Sequence, residues 1–156
     1  MLRVDVPGVG SLALEHLVLD VNGTIACDGE VLPGVAESIA GLRDRLRIVA
    51  ITADTHGTAP RLREQLGIDA YVISAGDEGA QKLAFVESLG PDTVIAAGNG
   101  ANDAEMLRAA AIGICIVGEE GAAGSAVSAA DVVLGSAGSL FGLLSRPARL
   151  VATLRR

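Results

Sequence analysis

From residue 14 to residue 134 the chain alternates short apolar runs with segments in which apolar residues recur at helical spacing. The runs at 14–20, 48–52, 70–74, 93–97, 112–117 and 131–134 have the length and the Val/Ile/Leu content of buried strands. Helices are predicted at 78–89, at 102–110, near 121–129, and from Pro33 through Val35, Ile39, Leu42 and Leu46. A further short helix opens at Thr58 and Pro60 and stops at Gly67. Such regular alternation with short loops predicts an α/β fold, a three-layer doubly wound parallel sheet with helices on both faces. Ahead of it, residues 2–6 and 11–14 alternate around Pro7 to Gly10, which predicts a small N-terminal β-hairpin. A loop is expected at 26–30, and the tail, 138–154, reads as helix broken near Pro147.

At 156 residues the chain is expected to be a single domain, 1–156, with a sizeable core. The stretches from Asp20 to Thr52 and from Thr52 to Lys82 each hold little more than one helix, so no inserted domain is expected. A formal charge of −7 argues against nucleic acid or an anionic membrane as partner. No apolar run approaches a membrane span and Asp5 and Pro7 interrupt any leader, so a cytoplasmic protein is expected. Cys27 and Cys115 lack metal-site spacing and are read as reduced thiols, Cys115 in the core. The glycines of Gly8 to Ala13 mimic a dinucleotide fingerprint, but they precede the first long strand rather than follow it.

Chemistry in open α/β sheets sits at the carboxyl ends of the strands. The first long run, Leu17-Val18-Leu19, ends there in Asp20, followed by Val21-Asn22-Gly23-Thr24. Asp20 is a nucleophile, a metal ligand or a turn-forming acid; Gly23 would let backbone donors approach an anion, and Thr24 would orient the turn. Thr52 ends the next run, and the backbone donors of Ala53 and Asp54 after it would suit phosphate oxygens; His56 is a further cleft candidate. Lys82 is the one lysine among twelve basic residues, which suggests a requirement for a compact ammonium that arginine does not supply. Gly98-Asn99-Gly100-Ala101-Asn102-Asp103 ends the fourth core run and opens a helix. Asn and Asp there cap free donors, or, for Asp103, stand beside Mg²⁺, which prefers oxygen ligands. Glu119 and Glu120 are expected to begin a helix and are assigned no role.

An acid turn, then Thr52, then Lys82, then the Gly98 to Asp103 turn is an order that resembles the haloacid dehalogenase superfamily, nearest to its soluble, P-type-ATPase-like members without a cap domain. The likeness runs over essentially the whole chain. It implies phosphoryl transfer through an aspartyl-phosphate on Asp20, with Mg²⁺ held by Asp20, the main chain of Asn22, Asn99 and Asp103. Thr52, Lys82 and the turn donors would stabilise the phosphoryl oxygens. The implied substrate is a phosphorylated small molecule or a phosphoprotein, and a homo-oligomer is left open. Two positions depart from the pattern. Phosphatases of the superfamily carry Asp where Asn22 stands, as general acid and base, and usually Asp where Asn99 stands. The departures predict slow turnover, because acid–base catalysis contributes about 10²–10⁴-fold. They also raise the alternative of a phosphate-sensing or scaffolding protein. A phosphorelay receiver domain also uses Asp, Thr and Lys, but it has no place for the Gly98 to Asp103 turn.

Overall fold

The computed structural model describes residues 1–53 and 57–156. Strict alternation in Leu2–Val6 (β1) turns Leu2, Val4 and Val6 inward, and its antiparallel partner Gly10–Leu14 (β2) completes the expected hairpin. The next strand, His16–Asp20 (β3), reads differently. Leu17, Val18 and Leu19 are all buried, as in a strand covered on both faces. Leu17 and Leu19 pack into the larger core and Val18 into the smaller, because successive side chains leave a strand on opposite sides.

Beyond β3 the expected loop at 26–30 forms a two-rung antiparallel ladder, Ala26–Cys27 (β4) against Glu30–Val31 (β5), with Asp28 at φ +50° in its tight turn. The helix expected through Leu46 ends early: Val35–Ala40 (α1) gives way at Gly41 to turns that still bury Leu42 and Leu46. The remaining elements follow in the predicted alternation: Arg47–Thr52 (β6), Thr58–Leu66 (α2), Asp69–Val72 (β7), Glu78–Leu89 (α3), Val94–Gly98 (β8), Ala104–Ala109 (α4), Ile112–Ile116 (β9), Gly124–Ala129 (α5), Val132–Leu134 (β10), Ala137–Ser145 (α6) and Pro147–Leu154 (α7). Glu119 and Glu120 stand in a turn closed by Gly121 N–H donating to Gly118 O at 2.9 Å, ahead of α5 rather than in it.

Six strands form the parallel sheet in the order β10-β9-β8-β3-β6-β7. The chain builds outward from β3 through β6 to β7, then crosses back through α3 to β8 on the other side of β3. That reversal puts a topological switch point beside β3, where such sheets place their ligands. One face carries α3, α4 and α5 over Val18, Val86, Val94, Met106 and Leu107. The other carries the β1–β2 hairpin, α1, α2, α6 and α7 over Leu17, Leu19, Ile39, Leu62 and Leu140. Helix α7 lies against β1, and the Arg156 N–H donates to Pro7 O at 3.0 Å, so the last residue is fastened to the first turn. No helix among the described residues is long and apolar enough to cross a membrane.

Candidate active site

Because β3 lies between β6 and β8, the ends of three neighbouring strands bring Asp20, Thr52 and Gly98 side by side; Asp20 pairs with Ile51, and Leu19 with Ala97. After Asp20 the chain coils tightly. The N–H groups of Thr24, Ile25 and Ala26 all donate to Val21 O, at 3.2, 2.9 and 2.9 Å, and Gly23 N–H donates to Ala26 O at 2.7 Å. Gly23 takes φ +79°, and a Cβ there would collide with the Asn99 amide. The coil buries Gly23 and Thr24 and leaves Asn22 exposed. Gly23, expected to let backbone donors approach an anion, has its own N–H engaged inside the turn, as has Thr24, expected to orient it. Both shape the turn.

Lys82 reaches this spot along α3, whose first turn is capped by Asp77 accepting from Ala80 N–H at 3.0 Å. The ammonium is 2 % exposed and donates to Asp20 Oδ1 at 2.7 Å and to Asp103 Oδ1 at 2.6 Å. Asp103 is fully buried, and its Oδ2 accepts from the N–H groups of Asn99 and Gly100, at 2.9 and 2.8 Å. Gly98 has no Cβ to obstruct that carboxyl. Two carboxylates on one ammonium leave a surplus negative charge. Burial and the nearby Asp103 raise Asp20 from the usual 3.8 to about 7, against the opposing pull of Lys82. For Lys82, burial works against the charge, but the pair of carboxylates outweighs it and holds the ammonium above its ordinary value.

These groups bound a cavity of about 290 Å³. Of the residues singled out in the sequence, Asp20, Asn22, Thr52, Ala53, Lys82 and Asn99 line it. Asp103 stands behind Lys82, and Asp54 and His56 lie outside the described residues. Four further residues complete the wall: Glu78, Gly100, Asn102 and Glu120. Asn102 Nδ2 donates to Glu78 Oε2 at 2.6 Å, tying α3 to the Gly98 turn. Glu78 gives a sequence reader only the signal of an acid in a first helical turn, which is routine.

The donors present suit a hard divalent cation. Asp20 Oδ2 and Asn99 Oδ1 each meet the Thr24 hydroxyl at a long 3.5 Å, and both residues line the same cavity. Asn99 is oriented for this by its own amide, since Nδ2 donates to Gly121 O at 3.1 Å. A carboxylate at that position could not make the second bond.

A model of the haloacid dehalogenase-like hydrolase family matches residues 1–111. The probable cation-transporting ATPase G of Mycobacterium tuberculosis is 35 % identical over 116 residues, which is 72 % of this chain and 14 % of that protein. The chain thus spans about one seventh of the length of that pump. An uncharacterized protein of Methanocaldococcus jannaschii is 37 % identical over 84 residues, 51 % of this chain and 90 % of that one. Among solved structures, 3-deoxy-D-manno-octulosonate 8-phosphate phosphatase of Moraxella catarrhalis, crystallised with magnesium and phosphate, superposes with a TM-score of 0.68 at 15 % identity, covering 91 % of this chain and 94 % of its own. That likeness concerns the fold.

Proposed function

The chain belongs to the haloacid dehalogenase-like hydrolases, and on that premise we propose that it is a slow, Mg²⁺-dependent phosphoryl-transfer hydrolase of one uncapped domain that works through an aspartyl-phosphate on Asp20. The observation that carries the reading is the state of Asp20. One oxygen is held by Lys82 at 2.7 Å, and the other meets the Thr24 hydroxyl at 3.5 Å beside a polar cavity. Asp20 Oδ2 attacks phosphorus, the bond from phosphorus to the leaving oxygen breaks, and the electron pair departs with that oxygen. Water then attacks the phosphorus of the acyl phosphate, returning the Asp20 carboxylate and releasing inorganic phosphate.

Lys82, the Thr52 hydroxyl and the backbone donor of Ala53 offset charge on the phosphoryl oxygens, while Gly23 and Thr24 fix the turn. Asp20, the main-chain carbonyl of Asn22 and Asn99 would hold Mg²⁺, with Asp103 adding negative charge from behind Lys82. Bound there, the ion would neutralise phosphoryl charge. Asn22 is exposed on the cavity wall, but an amide neither gives nor takes a proton at neutral pH. The favoured substrates are therefore phosphorylated small molecules whose leaving group departs without a proton, acyl and aryl phosphates. Restoring the acid with Asn22→Asp should raise hydrolysis of alkyl phosphates at least tenfold, on the scale of about 10²–10⁴ for acid–base catalysis. No gain in a folded variant that still binds Mg²⁺ would count against the mechanism.

A second reading, a phosphate sensor on the same fold, draws on Asn99. Its amide makes a structural bond to Gly121 O, so it is suited to holding the turn whether or not turnover occurs. Exposure to acetyl phosphate or beryllium fluoride with Mg²⁺, followed by peptide mass analysis, separates the two. An Asp20 that is never modified favours the sensor.

A further inference from the structure

A second cavity, of about 420 Å³, adjoins the first, and Glu120 lines both. The nucleophile turn is the partition: Asn22 faces the first space and Gly23 the second. Asn99 ties this partition to the turn that carries the acids, since its amide fills the place a Gly23 Cβ would take and donates to Gly121 O. The floor of the second cavity is apolar, with Leu32 and Ile116 from the sheet side and Ala137 from the start of α6. At its mouth stand Glu119 and Glu120, both exposed, and among the described residues none that lines it is basic. The short β4–β5 ladder holds these acids in place: Cys27 Sγ donates to Glu119 Oε2 at 3.9 Å and Asp28 N–H donates to Glu120 Oε1 at 3.2 Å. The volume falls in the range of about 300–1,000 Å³ typical of small-molecule sites.

We propose that this second cavity receives the leaving group of the phosphate ester cleaved at Asp20, and that it selects a compact apolar group ending in a cation, such as an amine, over one ending in a carboxylate or a second phosphate. The proposal rests on the phosphoryl-transfer reading and names its substrate class. With the phosphoryl group in the first cavity, a leaving group directed past the partition meets an apolar floor and then two carboxylates. An ammonium there gains attraction from both, whereas a second anion is repelled while giving up its hydration. The same field disfavours nucleoside di- and triphosphates, whose remaining phosphates would have to pass Glu120.

The test uses the full chain with Mg²⁺ and two aryl phosphates of matched leaving ability, 4-(aminomethyl)phenyl and 4-(carboxymethyl)phenyl phosphate. It reads the ratio of their kcat/KM values, which is insensitive to a general loss of rate. The wild-type ratio should favour the amine at least about tenfold, Glu119→Gln should reduce it, and Glu119→Lys should bring it to one or below. Labelling of Asp20 by acetyl phosphate, a donor too small to reach the second cavity, is measured in parallel. If Asp20 is labelled but the ratio stays within about twofold of one, or ignores Glu119→Lys, the selective cavity is overturned and the phosphoryl-transfer reading stands. If Asp20 is not labelled and neither ester is consumed, both fall.

Discussion

Asp20 and Asp103 accept hydrogen bonds from the same ammonium, at 2.7 and 2.6 Å, and their surroundings make them different groups. Asp103 is fully buried, with one oxygen on Lys82 and the other on two backbone N–H groups. Asp20 is 13 % exposed, and its second oxygen meets the Thr24 hydroxyl at a long 3.5 Å. The saturated carboxylate is a strut that fixes the amine and the turn. The under-bonded one keeps a lone pair free for chemistry. Residue type does not separate them; what separates them is how many donors the fold supplies to each.

The largest effect that tests this contrast comes from removing the shared partner. Lys82→Met strands two buried carboxylates and should destabilise the protein by about 3–5 kcal/mol in urea denaturation. Next come the two aspartates themselves. Asp103→Asn places an amide N–H against the ammonium or turns it toward the backbone donors, and it should lose about 1–3 kcal/mol. Asp20→Asn should leave the protein at least as stable as wild type at neutral pH without metal, while abolishing acetyl-phosphate labelling. Equal losses from both variants would erase the distinction between strut and reactive group. A further test is in pH. The folded-state pKa of Asp20 lies above the usual 3.8, at about 7, so between those values the folded protein holds a proton that the unfolded chain has released. Metal-free stability should therefore fall as pH rises from about 4 through 7 and level off above. Asp20→Asn should flatten that slope, and Mg²⁺ should bind more tightly as pH rises through the same window. Thermal denaturation across pH, with and without the ion, checks both.

The part of this arrangement that was legible in the sequence is the part carried by short-range pattern. The apolar runs located the strands, the alternation placed a helix at 78–89 where α3 stands, and strand order brought Asp20, Thr52 and Lys82 to one edge. The solitary lysine was informative because its compact ammonium is buried between two acids. What stayed hidden was either too short to show a pattern or set by contacts between remote residues. The β4–β5 ladder has two rungs and no alternation to read. The early end of α1 follows from Gly41. Glu120 looked like the start of a helix, and only the fold sets it beside Asn22, nearly a hundred positions away. The division of labour between Asp20 and Asp103 was also invisible, because the donors that saturate Asp103 are main-chain N–H groups, which every residue but proline carries.

The fastening of Arg156 to Pro7 bears on how the molecule is made. Leu2 and Val4 face a core that includes Leu150, so the opening hairpin has its full covering only once α7 is in place. Contacts between such remote segments slow folding, because the intervening polypeptide must already be ordered before they form. The hairpin therefore gains its full cover late, after the segments between it and α7 have taken their places.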